Sequence, residues 1–230
     1  MTGTLEYLPP ATQLQPQALQ HGAHKYHGAI AEGYDDKRKA DPKWTIEQAI
    51  IEDMIAELPE GSEILDCPVG TGRFLECYVA NKLNFIGMDI SGDMLVQSAL
   101  KLMTEDQVAM WVQASNERNT VLPLKITDKN GVLVTGSILQ TGLNDKSVDV
   151  AIACRITRWI IGEHGPVGIV AMLRELQRVA RQKIIITARV EGHKFSVTRH
   201  LIESALNGWR ISRDEEGYQT AYRILMLEPA

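Results

Sequence analysis

The stretch Ile64-Leu65-Asp66-Cys67-Pro68-Val69-Gly70-Thr71-Gly72-Arg73-Phe74 sets two glycines one residue apart behind an apolar run that ends in a carboxylate. A glycine turn of this kind brings backbone N–H groups close to a ligand, and the helix start that follows it favours negative charge. Three ligand classes use such a turn: dinucleotides, phosphates and other adenosine-bearing molecules. A dinucleotide turn has the form G-x-G-x-x-G/A, but the third position here is Leu75. A phosphate loop asks for Gly-Lys-Ser/Thr, and Gly72 is followed by Arg73-Phe74. Asp-x-x-x-Gly-x-Gly remains, with a second carboxylate, Asp89, closing the next apolar run. Asp89 is placed to accept both ribose hydroxyls of an adenosine. Asp66 is placed to accept from a ligand ammonium, directly or through water. An adenosine carrying an amino acid in place of a pyrophosphate, S-adenosylmethionine, meets both demands and needs no third glycine.

Both acids must be held at strand ends, and the chain supplies an alternation that does so. Thr45-x-x-Gln48 reads as a capping box, with Ile46, Ile50, Met54 and Leu58 on one helical face before Pro59 and Gly61. Strands are expected at 64–65, 85–90, 132–135, 148–153 and 184–187. Helices are expected over 73–81, from about 93 with Met94, Leu95, Ala99 and Leu102 inward, and along Ile169, Met172, Leu173, Leu176 and Val179. Leu201, Ile202, Ala205 and Leu206 read as one more helix, closed by Asn207-Gly208. The segments 209–212 and 222–227 flank an acidic turn ending at Gly217 and read as a hairpin. Strands alternating with helices imply a mostly parallel sheet covered on both faces, with ligands at the carboxyl ends of its strands.

As an ensemble, residues 30–227 resemble the class I S-adenosylmethionine-dependent methyltransferases. "ILDCPVGTGRF" resembles the first motif of that family, and "FIGMDISGDMLVQSALK" its second strand and following helix. "LNDKSVDVAIACRITRWI" is similar to the fourth-strand segment, and "LRELQRVARQKIIITA" to the approach to the fifth. "IAEGYDDKRKADPKW" is similar to the N-terminal helix and loop that lids the cofactor in small-molecule members. The resemblance implies an α/β, Rossmann-like, doubly wound and mostly parallel seven-stranded sheet with a terminal antiparallel hairpin strand. It implies a cofactor site of Asp66, Gly70, Thr71 and Gly72 in the turn, Asp89 and Ile90 at the ribose, and Met94 over the adenine. Ser137 and Ile138 fall beside the adenine amino group, and Arg155 falls near the mouth where the methyl group is transferred. The chain departs from the family at Gly136-Ser137-Ile138, where many members place an acid, and at Arg181-Gln182-Lys183, where Pro-Gly-Gly is usual. It also carries extra sequence over 117–131, whose Val121, Leu122, Leu124 and Ile126 can form a short hairpin.

Residues 1–41 read as a polar arm, dotted with Gln13, Gln15, Gln17 and Gln20 and broken by Pro9-Pro10 and Pro16; it is also a candidate active-site lid. Residues 42–230 read as the S-adenosylmethionine-binding domain. His21, His24 and His27 are evenly spaced in the arm, but nothing within the run completes a ligand set, so no metal site is expected. Tyr34, Arg38 and Trp44 are candidate lid residues, and Tyr34 and Arg155 the candidate catalytic ones. Arg155 and Arg158 suit either an anionic substrate or, for Arg158, a surface ion pair. His164 and His200 do not stand out as a base. Cys67 reads as a small buried residue rather than a nucleophile. The Asn/Asp-Pro-Pro-aromatic sequence of adenine-amino methyltransferases is replaced by Ala153-Cys154-Arg155-Ile156. A net charge of -5 over 230 residues carries no overall basic field, which disfavours a dedicated nucleic-acid binder. Three cysteines without C-x-x-C spacing, and the lack of a secretory or membrane-spanning pattern, point to the cytoplasm and away from a membrane. The expected function is methyl transfer to a small-molecule or metabolite acceptor. The alternatives are a nucleic-acid-modifying methyltransferase and a non-catalytic S-adenosylmethionine-binding regulator.

Overall fold

The computed structural model describes residues 25–192, 194–217 and 222–230; most of the polar arm, with His21 and His24, lies outside them. Two short helices open the described chain, α1 (Ala29–Glu32) and α2 (Asp36–Lys39), followed by α3 (Pro42–Ala56). The alternation then runs β1 (Glu63–Asp66), α4 (Leu75–Ala80), β2 (Asn84–Asp89), α5 (Gly92–Leu100), α6 (Glu105–Glu117), β3 (Leu124–Ile126) and β4 (Gly131–Thr135). It continues with β5 (Val148–Ala153), α7 (Thr157–Val179), β6 (Ala180–Arg189), α8 (Arg199–Ala205), β7 (Trp209–Glu216) and β8 (Tyr222–Pro229).

The strands form one sheet in the order β3-β4-β2-β1-β5-β6-β8-β7. The five inner strands β4, β2, β1, β5 and β6 are parallel, while β3, β8 and β7 pair antiparallel. After β1 the chain winds outward through β2 to β4, then returns to β5 on the other side of β1. The order therefore reverses beside the carboxyl end of β1, where open α/β sheets form their crevice. Side-chain alternation splits the core into two layers. Leu65, Ile86, Met88 and Val134 pack with α7 on one face; Ile64, Phe85, Leu133 and Val150 pack with α3, α4, α5 and α6 on the other.

The structure corrects three local expectations. Thr45 does not cap α3: Asp41 does, its carboxylate accepting from Lys43 N at 3.0 Å, with Pro42 in the first turn. Of the expected face, Met54 and Leu58 are buried and Ile50 packs against the core, but Ile46 is exposed, and Glu47, Ile51 and Ile55 are buried beside them. Glu47 is buried with partners of its own, described below. Second, α6 was missed, although Thr104-x-x-Gln107 forms a full capping box with both reciprocal bonds. Third, the sheet has eight strands where seven were expected. The extra sequence ends α6, forms β3 and turns back into β4, so Leu124 and Ile126 become edge-strand core residues. Among the described residues no helix is long and apolar enough to cross a membrane.

Candidate functional site

A cleft of about 750 Å³ opens at the carboxyl ends of β1, β2 and β5. Its floor is the turn after β1. Gly70 takes φ +58, which favours glycine, and points its N–H at Asp89 Oδ2, 2.9 Å away. Ser91 N donates to the other carboxylate oxygen, also at 2.9 Å. Both oxygens of Asp89 thus carry backbone donors, and the carboxylate keeps lone pairs for a ligand hydroxyl. Gly72 also takes a positive φ, +76, and a Cβ there would sit 2.5 Å from Leu75 Cδ1, so its bareness lets α4 close against the turn.

Asp66 ends β1 at 2% exposure and accepts the Tyr78 hydroxyl on Oδ2 at 3.0 Å. Among the described residues its other oxygen has no hydrogen bond. Burial pushes the Asp66 carboxyl up to about 7, with Asp89 adding to the rise and the Tyr78 bond opposing it. Burial likewise pushes Asp89 up to about 6 against its backbone donors. Two adjacent acids so poised favour a ligand that brings hydroxyls to one and positive charge to the other. Ile90 and Met94 add apolar wall beside Asp89.

The opposite side is a charge network built on α3. Glu47 accepts from Arg73 Nη1 at 2.6 Å and from Arg155 Nε at 2.8 Å, so one buried carboxylate serves two guanidinium groups. Arg73 also donates to the Trp44 carbonyl and lies 3.8 Å from the centroid of the Trp44 ring. Arg155, just past β5, has φ +57, an unusual backbone state for a bulky residue, held by its N–H on Thr187 Oγ1 at 2.7 Å. The segment 25–44 roofs the cleft. Asp35 accepts the Thr71 hydroxyl at 2.6 Å and pairs with Lys101 at 2.7 Å, and the Tyr26 carbonyl accepts from Ser91 Oγ at 2.6 Å. Tyr26 stands edge-on to Tyr34 and Trp159, with centroids 5.7 and 6.0 Å away.

Of the residues singled out in the sequence, the structure brings Asp66, Gly70, Thr71, Asp89, Ile90, Met94, Tyr34, Trp44 and Arg155 to this one cleft. Gly72, Ser137 and Ile138 do not line it. Ser137 and Ile138 are buried behind it, with Ser137 Oγ accepting from Leu139 N at 3.2 Å. His164 and His200 are also away from it. Cys67 is buried, and burial pushes its thiol well above its ordinary range. Sequence reading missed Tyr26, Glu47, Arg73 and Trp159. Glu47 left a trace, since it falls on the helical stripe of Ile51, Met54 and Ile55, where an acid is out of place unless paired. Tyr26 and Trp159 left none, because only the fold brings them together.

No protein-family model matches the chain, and no curated protein matches it in sequence. Solved structures match it by shape. Magnesium protoporphyrin IX methyltransferase from Synechocystis with bound SAH (S-adenosylhomocysteine) aligns at a TM-score of 0.62 and 16% identity, covering 90% of this chain and 97% of that one. With bound SAM, the same protein aligns at 0.59 and 16%, covering 96% and 100%. The cyclase SpnF aligns at 0.52 and 15%, covering 78% and 79%. The chain has the class I S-adenosylmethionine-dependent methyltransferase fold.

Proposed function

We propose that the chain binds S-adenosylmethionine in this cleft and transfers its methyl group to a small-molecule acceptor. The observation that carries the reading is the pair of buried carboxylates at the ends of neighbouring parallel strands, with the Gly70 N–H fixing one of them. Asp89 takes the ribose hydroxyls, Asp66 the amino-acid ammonium, and Ile90 and Met94 flank the adenine. Ser137 and Ile138 act from behind, by shaping the turn after β4. Bound there, S-adenosylmethionine supplies a methyl group already activated by its sulfonium. The chain's own residues then have to align the acceptor and exclude water. Tyr26, Tyr34, Trp44 and Trp159 present aromatic faces to that space, suited to a cation.

A small acceptor is favoured because segment 25–44 roofs the site and the chain is acidic overall. We take residues 1–41 as arm and lid and 42–230 as the methyltransferase domain. We place the protein in the cytoplasm on its cysteines, all three of which are unbridged. Titration calorimetry with S-adenosylmethionine, S-adenosylhomocysteine and NAD tests the cofactor; heat from NAD alone would replace methyl transfer with hydride transfer. Radiolabelled S-adenosylmethionine offered metabolite, RNA and DNA pools then tests the acceptor. Label confined to nucleic acid would remove the small-molecule reading. Binding without transfer to any pool would leave a cofactor-binding regulator.

A further inference from the structure

Beside the cleft lies a second chamber of about 510 Å³, and Tyr26, Tyr34, Arg155 and Trp159 form the boundary that the two spaces share. Its remaining wall is Arg38, Arg158, Arg189, Tyr222, Thr157 and Thr187, with no acidic side chain among the described residues that line it. This is an unusual place for bare arginines in a protein of net charge -5. Arg178, Arg181, Arg199, Arg213 and Arg223 each meet a carboxylate. Among the described residues, Arg38, Arg158 and Arg189 meet none; elsewhere only the exposed Arg118 and Arg174 share that state. Arg38 lies over the rings of Tyr34 and Trp44 at 4.7 and 5.7 Å, and Arg158 over Trp159 at 4.9 Å. Arg189 donates to the carbonyls of Glu191 and Gly192, both at 3.2 Å. Even Arg155 shares its one acid, Glu47, with Arg73. The chamber therefore holds an excess of positive charge, in guanidinium groups already braced on aromatic faces, and an oxyanion would meet it with strong paired hydrogen bonds.

We infer that the methyl acceptor is a small unsaturated acid whose oxyanion is held by Arg38, Arg158 and Arg189, while its body crosses the Tyr26–Trp159 boundary into the cleft. The inference rests on the methyl-transfer reading above and adds the acceptor's charge to it. The aromatic walls select a flat body. Carboxylate and phosphate share the chemistry recognised here.

The test uses three probes of one shape on the full chain: 1-naphthoate, 1-naphthyl phosphate and the neutral 1-naphthamide. Binding is measured by quenching of tryptophan fluorescence, with and without S-adenosylhomocysteine. At least one anion is expected to bind tenfold or more tightly than the amide, and the tighter of the two identifies the group. In Arg158→Gln and in the Arg38→Gln, Arg158→Gln double variant the preference should fall below twofold, with S-adenosylhomocysteine affinity changed less than threefold. Equal binding of anions and amide to the wild-type chain would overturn the inference while leaving the cofactor reading intact. Tenfold loss of S-adenosylhomocysteine affinity in Arg158→Gln, with an unchanged melting temperature, would also overturn it by assigning the arginine to the cofactor. Failure of the wild-type chain to bind S-adenosylhomocysteine would remove the cofactor reading instead, and the anion comparison in its absence still decides the chamber.

Discussion

Asp66 and Asp89 close adjacent strands with their carboxyl groups buried, and burial holds both above the ordinary carboxylate range, at about 7 and about 6. The folded chain therefore keeps protons that the unfolded chain releases near pH 4. The stability this gives is fully present below that pH and is lost as pH rises through 6 and 7. An ammonium at Asp66 reverses the preference by favouring the ionised acid. S-adenosylhomocysteine should accordingly bind most tightly above pH 7 and weaken as pH falls, by up to about tenfold per unit per titrating group. Calorimetry between pH 5.5 and 8.5 checks this, and a flat profile would place the ammonium elsewhere. Asp89→Ala removes charge-assisted bonds worth roughly 1.5–3 kcal/mol, so affinity should fall about tenfold to a hundredfold. Ser137→Ala, behind the wall, should change affinity by less than about threefold; equal losses would mean that the ribose or adenine is misplaced. Asp66, Gly70 and Asp89 were legible because strand-end acids and a glycine turn announce themselves by local spacing. Tyr26, Trp159 and Arg189 were not, since each is an ordinary residue whose meaning comes from neighbours distant in the chain.

At the scale of elements, α3 and the segment before it carry one whole side of the site. Glu47 is 4% exposed and holds Arg73 and Arg155 together, so it links α3 to the glycine turn and to the end of β5. Glu47→Ala would leave two guanidinium groups partly buried around a missing partner, a loss of roughly 3–5 kcal/mol. Thermal melts should show the drop, and a change under about 1 kcal/mol would mean that both arginines find other acceptors. The segment 25–44 is tied to the glycine turn and to the ends of α5 by polar contacts through the Tyr26 carbonyl, His27, the Gly28 N–H, Asp35 and the Trp44 carbonyl. Such contacts open easily, so amide exchange over 31–44 should slow on addition of S-adenosylhomocysteine. Unchanged exchange there, beside protection at the glycine turn, would make the segment a fixed surface element. The sequence pattern placed Ile50, Met54 and Leu58 on the packed side of α3 and misplaced only Ile46, whose helical spacing from Ile50 is the same.

At the scale of the molecule, the order of elements was readable because runs of buried strand alternate with helices along most of the chain. The number of strands was not, since β3 is three residues long and its single alternation, Leu124-Lys125-Ile126, suggests a short hairpin without saying that it joins the main sheet. Its side chains nevertheless complete a core: Ile126 is 2% exposed, and Trp111 Nε1 donates to the Leu122 carbonyl at 2.9 Å just before the strand. Ile126→Ala should therefore cost about 2–4 kcal/mol of stability while shifting S-adenosylhomocysteine affinity less than about twofold, because β3 is separated from the Asp66 strand by β4 and β2. Denaturant unfolding and calorimetry on the same variant separate the two effects. A large loss of affinity would make the extra segment part of the binding site.

The two rims of the sheet have a further consequence, for how copies of the chain behave when crowded. At one rim, β3 is brief, follows Pro123 and turns Lys125 outward. At the other, β7 steps out of register between Ile211 and Arg213 and carries Arg213, Asp214, Glu215 and Glu216 in succession. A short strand, a proline, a bulge and a run of charge each hinder a neighbouring chain from zipping on by backbone pairing. The sheet is thus closed to growth at both rims, and a concentrated solution of the folded protein should resist fibril formation, which dye-binding assays would detect.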